Sequence, residues 1–530
     1  MSDVLVVDAL SSGTGRRQSS RDSIGCGPRS IAGVLEKHGL GCRIKRAEDL
    51  LPQKSAERRF RHLAISAMTM DLPVVRRLII SWRRLSSRGK VLLGGPIASS
   101  PRHVLTELNP DVLVIGEGEK TFEELILKRY LDGETDLSTI KGVGYTQSGS
   151  HFVTGSRPLL SAREISDEYR SSTTRIVDYP AYQASKVYVE VLRGCSNFRR
   201  TTLKLPDGRQ CSDCGNCDSQ DSTKIIECPE QIPPGCGFCS VPATWGPPRS
   251  RSVDSIVRET AELLDLGARR IVLEAPDFLD YMRGDNLIDP CKPPANLEAI
   301  AELLESLASL RQISDGSAHI GIENMKACLL TDPAADVISR HLRRVSPNIG
   351  LETGSPEHMR RVGKCGSPED VVHAVRVARA HRMHPFVYLI YGLPGETEET
   401  VRESIQLMRE ISDEGVERII LYGFRPLPGS AFEHYPPSSV ESELGRRMRR
   451  EAERINRDNK VRYVGLVIRG IAAEPSWVKH GHTMVYPLDE GPVVTIQGGY
   501  SPGTPLNVRV TGVLSPGLVT GEVVKQEPEQ

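Results

Sequence analysis

Apolar and polar positions alternate with two different periods along the first 135 residues of the chain. Short runs rich in Val, Leu and Ile are typical of buried strands and occur at Val4 to Asp8, Leu63 to Ser66, Val91 to Gly94 and Val112 to Ile115. Amphipathic stretches lie between them, over Pro28 to His38, Leu72 to Ser86 and Arg102 to Leu108. Strands that alternate with helices predict βαβ units, and therefore an α/β domain with a parallel, doubly wound sheet over residues 1–135.

A second alternation follows a connector at residues 136–185. Six apolar runs are predicted strands: Lys186 to Leu192, Ile271 to Glu274, Ile320 to Asn324, Ile349 to Leu351, Phe386 to Tyr391 and Ile419 to Gly423. Helical patterns between them cover Val253 to Leu266, Leu297 to Leu310 and Val371 to Ala380. Because six units are too few for a closed eight-stranded barrel, residues 186–455 are predicted to form a partial (β/α)6 barrel, with functional groups at its strand C-termini.

The pattern changes again after residue 455, where short apolar runs are punctuated by Gly and Pro. The predicted strands are Val464 to Arg469, Thr483 to Tyr486, Val493 to Ile496, Asn507 to Leu514 and Leu518 to Val524. They predict a small antiparallel β-barrel over residues 456–525, followed by a loose tail at residues 526–530.

Charge and hydropathy narrow the range of partners. The 68 Lys and Arg residues balance the 68 Asp and Glu residues, so no whole-molecule field attracts nucleic acid or an acidic membrane. No apolar run approaches the ~20 residues that cross a bilayer, and no signal-peptide pattern begins the chain. These features predict a cytoplasmic protein without a membrane partner. In such a reducing compartment, clustered cysteines favour metal binding over disulfides.

Seven of the 12 cysteines fall between Val191 and Pro242. Cys195 follows the first predicted barrel strand, and Cys236 and Cys239 form a Cys-Gly-Phe-Cys pair. Three thiolates can hold three irons of a cubane cluster and leave the fourth iron for an exogenous chelating ligand. We therefore predict an iron–sulfur cluster at these three cysteines.

The other four cysteines of this stretch lie in an insertion at residues 196–235. They are Cys211, Cys214, Cys217 and Cys228. Their spacing predicts a tetrahedral S4 site that suits structural zinc or a single iron, and leaves a second iron–sulfur cluster or free thiols as alternatives. Elsewhere, Cys42, Cys291 and Cys328 have no partner in sequence and are expected to be ordinary thiols, and Cys365 is expected to be a bystander.

The cysteine pattern resembles a known signature. Arg193-Gly194-Cys195, together with the segment from Cys236 to Pro242, is similar to the Cys-x3-Cys-x2-Cys motif of radical S-adenosylmethionine (SAM) enzymes, split here by the insertion. Ile349 to Ser355 with Gly363-Lys364, Tyr391 to Thr397, and Arg425 to Ser430 resemble the segments at the ends of that family's fourth, fifth and sixth strands.

The resemblance implies a catalytic [4Fe–4S] cluster at Cys195, Cys236 and Cys239. It also implies SAM contacts at Phe238, Asp277, Glu352, Ser355, Gly392 and Leu427. The second strand ends in Glu274-Ala275-Pro276-Asp277-Phe278 and lacks the Gly-Gly-Glu that many members use to bind the methionine amine. Asp277 and Glu274 therefore both remain candidates for that contact.

Glycines and small polar residues follow three strands of the first domain. These turns are Ser66 to Asp71, Gly94 to Ile97 and Gly116 to Lys120, at the strand ends where doubly wound sheets bind ligands. A Rossmann-like domain before a radical SAM barrel resembles the cobalamin-binding module of cobalamin-dependent radical SAM methyltransferases. The resemblance implies cobalamin contacts at Ser66, Met68, Thr69, Gly94, Gly95, Gly116, Glu117 and Gly118. The chain has no Asp-x-His-x-x-Gly motif, so no histidine is expected as lower cobalt ligand.

The implied activity is transfer of a methyl group from cobalamin to an unactivated sp3 carbon, with an electron donor protein as partner. The order of domains most resembles the archaeal enzymes that C-methylate a glutamine of methyl-coenzyme M reductase, so the expected substrate is a protein side chain, in the alpha subunit of that enzyme. The C-terminal stretch resembles the TRAM domain, a small OB-like barrel. This leaves RNA (tRNA) methylation or methylthiolation as one alternative and a non-catalytic cobalamin or metal sensor as another.

Overall fold

The computed structural model describes residues 4–17, 20–51, 60–85, 89–133, 135–219 and 221–524, and the predicted tail at 526–530 lies outside them. The chain divides into two compact units. The first comprises Met1–Tyr182, Val187–Val189 and Asp254–Gly267, and the second comprises Gln183–Lys186, Glu190–Val253 and Ala268–Gln530.

The first unit contains a seven-stranded sheet. Its strands and one short additional strand are β1 (Val4–Asp8), β2 (Ser23–Ile24, outside this sheet), β3 (Cys42–Arg46), β4 (His62–Ser66), β5 (Val91–Gly94), β6 (Val112–Val114), β7 (Val143–Gln147) and β8 (Ser150–Val153). The strand order is β3-β1-β4-β5-β6-β7-β8, parallel from β3 to β6 and antiparallel at β7 and β8. The predicted parallel sheet is therefore present.

Helices connect the parallel strands of this sheet. They are α1 (Cys26–Lys37), α2 (Ala47–Leu50), α3 (Leu72–Leu85), α4 (Pro101–Leu108) and α5 (Gly118–Leu127). All five residues of β1 are buried, as expected for a strand covered on both faces. Strand β3 was not predicted, because only Ile44 of its five residues is buried and its charged side chains are those of an edge strand.

Two strands of the predicted connector extend the first sheet. Strand β7 pairs with β6, and β8 pairs with β7 in a hairpin. The segment up to Tyr182 and helix α8 (Val253–Asp265) are likewise parts of the first unit. A run of short strands and turns in the sequence therefore contributes to the edge of a sheet here.

The second unit carries the strands of the predicted barrel. Strand β9 (Lys186–Glu190) is divided between the two units; the others are β10 (Leu192–Arg193), β11 (Arg249–Ser250), β12 (Arg270–Glu274), β13 (His319–Ile322), β14 (Asn324–Met325), β15 (Asn348–Glu352), β16 (Phe386–Tyr391) and β17 (Arg418–Gly423). Strand β12 is parallel to β13, and β14, β15, β16 and β17 are parallel in that order. The predicted strand from Ile320 to Asn324 is interrupted at Glu323, between β13 and β14.

Helices follow most of these strands, which confirms the α/β class. They are α6 (Ser222–Ile226), α7 (Val241–Trp245), α9 (Leu297–Ala308), α10 (Arg311–Ser314), α11 (Asp332–His341), α12 (Pro356–Arg361), α13 (Pro368–Ala380), α14 (Glu398–Asp413) and α15 (Glu443–Val461). Helices α13 and α14 begin with capping boxes at Ser367 and Thr397. Caps at these positions end the loops that follow β15 and β16, where functional residues are predicted.

A closed five-stranded barrel forms the C-terminal part of the second unit. Its strands are β18 (Val467–Pro475), β19 (His482–Pro487), β20 (Val493–Gln497), β21 (Pro505–Ser515) and β22 (Leu518–Val523), in the order β18-β19-β20-β22-β21. The predicted small barrel is confirmed. One pair differs from the antiparallel prediction, because β20 and β22 run parallel to each other.

Among the described residues, no helix combines the length and the apolar composition needed to cross a bilayer.

Candidate active site

The loop that carries Cys195 is held by close backbone contacts. Gly194 has a φ of +96°, and a Cβ at this position would overlap the carbonyl group of Pro247. The Cys195 N–H donates to the Gly246 carbonyl at 3.0 Å. Only glycine allows this approach, which fixes Cys195 after the short strand β10.

The loop from Cys236 to Cys239 is fixed through its glycine. The Gly237 N–H donates to the Val362 carbonyl at 2.7 Å, and the Phe432 N–H donates to the Gly237 carbonyl at 2.8 Å. A side chain at Gly237 would overlap the ring of Phe432. Phe238 is half-buried and packs against an apolar cluster that includes Phe432.

The three cysteines predicted to bind the cluster lie near one another among the described residues, although their sulfur atoms are not all within 4.8 Å of one another, and their role as cluster ligands stays a prediction. Cys195 and Cys239 both interact electrostatically with Cys236. Asn197 donates to the Cys236 sulfur at 3.2 Å, and its own N–H donates to the Cys195 sulfur at 3.4 Å. Burial raises the pKa of all three thiols, to about 12 for Cys195. Such a site holds thiolates only when a cation compensates their charge, which fits an iron–sulfur cluster.

Glu352 and Lys364 form a buried ion pair beside these cysteines. Lys364 Nζ lies 3.1 Å from Glu352 Oε1, and Lys364 interacts electrostatically with Cys236. Burial opposes the charge of Lys364, but Glu352 together with the neighbouring Cys236 and Cys365 holds the Lys364 pKa above its usual value. Glu352 has a φ of +65°, a conformation that is costly for a non-glycine residue and is often found at functional sites.

Gly350 makes room for this ion pair. A Cβ at Gly350 would lie 2.5 Å from Glu352 Oε1 and 2.6 Å from Lys364 Nζ. The register between β15 and β16 shifts between Gly350 and Glu352, which redirects the glutamate side chain. The segment predicted to contact SAM is therefore shaped around Glu352.

A second buried charge network surrounds Lys326, at the start of the loop after β14. Its Nζ lies 2.7 Å from Asp280 Oδ2, 3.0 Å from Asp277 Oδ2 and 2.7 Å from Ser196 Oγ. Arg283 also pairs with Asp280, at 2.8 Å. Asp277, one candidate for the methionine amine, is thus engaged by a lysine side chain.

The remaining predicted SAM residues lie at the ends of β15, β16 and β17. Ser355 precedes the first residue of α12 and is buried. The Gly392 N–H donates to Glu396 Oε2 at 2.8 Å, which closes the turn after β16. Leu427 is 38% exposed, and its carbonyl accepts from the Ser430 hydroxyl.

The cysteine-rich insertion is anchored by a buried arginine. Arg200 donates to the carbonyls of Ile225, Ile226 and Ile232 at 2.7 to 2.8 Å, and to the sulfur of Cys217 at 3.6 Å. Cys211 interacts electrostatically with Cys217 and with Cys214, which is exposed. Within the described ranges no three of the insertion's four sulfur atoms lie within 4.8 Å of one another, so the S4 site stays a prediction.

Cys291 and Cys328 were expected to be ordinary thiols without partners, and this prediction is wrong, because they converge on each other and on Cys365. The sulfur atoms of Cys291, Cys328 and Cys365 all lie within 4.8 Å of one another. Cys291 and Cys328 are joined by a disulfide, with their Cα atoms 5.8 Å apart. No sequence motif indicates this cluster, because its members come from three separate loops.

The turns predicted to bind cobalamin lie at the carboxyl ends of the parallel strands in the first unit's sheet. Ser66 and Gly94 end β4 and β5 and oppose each other in register. Gly95 has a φ of +92°, and a Cβ there would lie 2.7 Å from the Ala67 carbonyl oxygen. A Cβ at Gly27 would lie 2.9 Å from Ser66 Oγ. Glycines bring these backbone segments together at the edge where such sheets bind ligands.

The other predicted cobalamin residues extend this edge. The Met68 N–H donates to the buried Asp71 carboxylate at 2.9 Å, and the Thr69 hydroxyl donates to the Pro96 carbonyl at 3.4 Å. Nothing lies within 4 Å of a Cβ built on Gly116, which leaves room for a bulky ligand. Gly118 is the first residue of α5. The Glu117 carboxylate is buried and accepts a hydrogen bond from the Leu160 N–H, so it supports the loop itself.

Four residues of the site escaped the sequence analysis: Ser196, Asn197, Asp280 and Lys326. Ser196, Asn197 and Asp280 lie within three residues of a predicted ligand and Lys326 does not, and none of the four belongs to a recognisable motif. Their polar groups meet only because loops distant in sequence converge.

Two family models match this chain. The radical SAM superfamily model covers residues 228–408, and the B12 binding domain model covers residues 20–126. The two matches confirm the expected cofactors: a [4Fe–4S] cluster with SAM, and cobalamin. The second match includes all eight residues predicted to contact cobalamin.

Known proteins share this combination of domains. The radical S-adenosylmethionine methyltransferase TsrM from Kitasatospora setae has a similar fold, with a TM-score of 0.58 at 16% identity over 82% of this chain and 75% of TsrM. The chain is therefore a radical SAM enzyme with a B12-binding domain and the fold of a cobalamin-dependent methyltransferase.

A closer relative defines the family. The uncharacterized protein MK0932 of Methanopyrus kandleri is 39% identical over 98% of this chain and 96% of its own length. The chain belongs to the same family as MK0932. The ribosomal protein uS12 methylthiotransferase RimO of Pseudothermotoga lettingae is more distant, at 25% identity over 48% of this chain and 50% of RimO.

Proposed function

We propose that this protein is a cobalamin-dependent radical C-methyltransferase that acts on an unactivated sp3 carbon of a protein side chain, with a glutamine of methyl-coenzyme M reductase as the expected acceptor. The observation that carries the proposal is the convergence of Cys195, Cys236 and Cys239 beside the Glu352–Lys364 pair, in a chain that also has a B12-binding domain.

The cofactors supply the difficult chemistry: SAM on the cluster supplies a carbon-centred radical, and cobalamin supplies the methyl group. The protein positions them. Cys195, Cys236 and Cys239 would bind three irons, and Asn197 would orient two of these sulfur atoms through its hydrogen bonds. The fourth iron would remain for the amine and carboxylate of SAM.

Glu352 and Lys364 would orient SAM beside the cluster. Both side chains are fixed by their ion pair and largely shielded from water, so their charges act in a medium of low dielectric constant. A carboxylate accepts hydrogen bonds from ribose hydroxyls, and an ammonium group attracts a carboxylate. Asp277, which pairs with Lys326, and Glu274, at the end of β12, are both candidates for binding the methionine amine.

The C-terminal barrel favours a protein substrate over RNA. We assign it as TRAM-like and OB-like, supported by its five closed strands in the order β18-β19-β20-β22-β21. From Val467 to Val523 it has three Lys and Arg residues against four Asp and Glu residues. Binding along an RNA backbone needs an excess of positive charge, and this barrel lacks one.

Methylthiolation is the second candidate, because RimO matches about half of the chain. The two functions differ in the mass that they add to the substrate. The B12-binding domain favours methylation, since cobalamin is a methyl carrier.

The test uses full-length protein purified without oxygen and loaded with iron, sulfide and hydroxocobalamin. We expect 5′-deoxyadenosine formation that depends on a glutamine-containing peptide of methyl-coenzyme M reductase, and a 14 Da gain in that peptide. Cobalamin binding and SAM cleavage without peptide methylation would refute the proposal that this glutamine is the methyl acceptor. A gain matching a methylthio group would favour methylthiolation, and absence of SAM cleavage would favour a sensor.

Two sets of variants assign the cysteines. Cys236→Ala and Cys239→Ala should each remove the cluster absorption and SAM cleavage. Cys214→Ala should keep both and instead lower solubility or the content of the second metal. If Cys214→Ala alone removed the cluster spectrum, the division into two sites would be wrong.

A glycine variant tests the cobalamin edge. Gly95→Ala should lower cobalamin affinity at least tenfold, because its Cβ would displace the loop after β4. Gly155→Ala is the matched control, since nothing lies within 4 Å of its Cβ. Equal cobalamin binding by both variants would remove Gly95 from the site.

A further inference from the structure

We propose that Cys291, Cys328 and Cys365 bind one mononuclear metal ion, zinc or iron(II), as a three-thiolate centre distinct from the catalytic cluster and from the cysteine-rich insertion. The three sulfur atoms already lie within 4.8 Å of one another. Sulfur atoms bound to one tetrahedral metal at about 2.3 Å lie about 3.8 Å apart, which requires only small movements. Thiolates on separate irons of a cubane lie further apart, so the spacing favours a single ion.

Three loops of the second unit supply the three cysteines. Cys291 precedes the cis Lys292–Pro293 bond in the loop after β12, Cys328 lies in the short 3-10 helix Ala327–Leu329 after β14, and Cys365 lies between α12 and α13. The loops of Cys291 and Cys328 follow strands, at the strand ends where functional groups of such folds gather, and the loop of Cys365 joins two helices. Ligands from separate loops are typical of metal sites that fasten a fold together.

The charged groups near Cys365 would stabilise a metal centre formed by Cys291, Cys328 and Cys365. Lys326 and Lys364 both interact electrostatically with Cys365. A divalent ion with three thiolates carries one net negative charge, and two nearby ammonium groups stabilise it. No fourth His, Cys or carboxylate ligand joins the group among the described residues, so a water molecule or small ligand would complete a tetrahedron.

Reducing conditions free the ligands. In the structure Cys291 and Cys328 form a disulfide, whose cleavage takes two electrons and two protons and yields two thiols. The catalytic cluster of a radical SAM enzyme works with a low-potential electron donor, and such a donor also reduces disulfides. The working enzyme would therefore present three thiols at this position.

The centre would fix two lysines of the active site. Lys364 directly precedes Cys365, and Lys326 lies two residues before Cys328. A metal bound to these cysteines would hold both backbone segments, and with them the Glu352–Lys364 and Asp277–Lys326 pairs. Loss of the metal should weaken SAM binding without removing the catalytic cluster.

The first experiment measures zinc and iron per chain in anaerobically purified, reconstituted full-length protein. We expect Cys365→Ser and the double variant Cys291→Ser/Cys328→Ser each to lose about one metal ion per chain, keep the catalytic cluster absorption and raise the SAM dissociation constant several-fold. Cys42→Ser, in strand β3 of the first unit, is the matched control and should keep the full metal content. Unchanged metal content in the first two variants overturns the proposal.

A second measurement needs no variant and covers the case of poor folding. The native wild type is alkylated anaerobically with and without a strong chelator, and each cysteine is mapped by peptide mass spectrometry. The half-buried Cys291 and Cys328 should react only after chelation, because the metal protects them. Recovery of a Cys291–Cys328 disulfide peptide, or equal labelling in both conditions, contradicts a metal centre.

Discussion

Single residues set the geometry of the catalytic pocket. At Gly350 the absence of a side chain lets the Glu352 carboxylate and the Lys364 ammonium group meet over the backbone. At Gly237 it lets the cluster loop pack under Phe432. Neither glycine lies in a left-handed conformation, so the close approach of neighbouring atoms explains the requirement for glycine.

The first prediction concerns Gly350. Gly350→Ala should lower SAM affinity and SAM cleavage several-fold, because its Cβ would displace the Glu352 carboxylate and the Lys364 ammonium group from their paired positions. SAM binding by calorimetry and 5′-deoxyadenosine formation measure this. Gly321→Ala in β13 is the control, since the nearest atoms lie 3.9 Å from its Cβ. Equal losses in both variants would contradict a specific role for Gly350.

The second prediction concerns His62, which is fully buried in β4 and accepts a hydrogen bond from the Lys90 N–H through Nδ1. Burial lowers the pKa of His62 to about 4. As the pH is lowered from 6.5 to 4, the His62 ring takes up a proton in the unfolded state but not in the folded state. The free energy of unfolding therefore decreases over this window, by up to about 3 kcal/mol.

His62→Asn keeps an acceptor near Nδ1 and removes the titration. Its thermal midpoint should fall less between pH 6.5 and 4 than that of the wild type. The same change at the exposed His103 should leave the wild-type pH dependence intact. A wild-type slope in His62→Asn would show that His62 titrates normally.

Whole elements show where sequence patterns suffice. Strand β1, which is buried throughout, and strand β16, in which half-buried and buried residues alternate, have the bounds predicted from the sequence, because continuous or alternating apolar runs determine them locally. Strand β3 was missed, because an edge strand needs few apolar residues. The insertion has little apolar content, and its order depends on contacts that Arg200 makes with three backbone carbonyls.

The third prediction concerns this anchor. Arg200→Met should make the insertion sensitive to proteolysis and lower the content of the second metal, because several carbonyls would lose their buried donor. Limited proteolysis and metal analysis test this. Arg209→Met is the control: Arg209 pairs with Asp207 near the surface and its loss should cost little. An insertion equally protected in both variants would show that Arg200 is dispensable.

The net charge is a property of the whole molecule. The chain has a formal net charge of zero, and its C-terminal barrel has no excess of basic residues. Our fourth prediction is that the full-length protein binds tRNA only weakly, with an affinity that changes little between 50 and 200 mM salt, since few phosphates would be neutralised (otherwise about a tenfold change for every two contacts). Fluorescence anisotropy measures this, and tight, strongly salt-dependent binding would return RNA to consideration.

The sequence by itself determined the domain classes, most strand positions and the cofactors. Strand periodicity is a local property, and the cysteine and glycine motifs keep their spacing whatever surrounds them. The grouping of Cys195 with Cys236 and Cys239 as cluster ligands rests on the position of Cys195 after a strand and stays a prediction; in the structure Cys195 and Cys239 both interact electrostatically with Cys236.

Only the tertiary structure decided which side chains meet across loops. Lys326 binds Asp277 and Asp280, and Asn197 contacts the sulfur atoms of Cys195 and Cys236. Cys291, Cys328 and Cys365 converge. No local pattern encodes these contacts, because each joins segments that separate strands carry to the same end of the fold. Proximity of this kind depends on how the strands are arranged, which the chain specifies only through its complete packing.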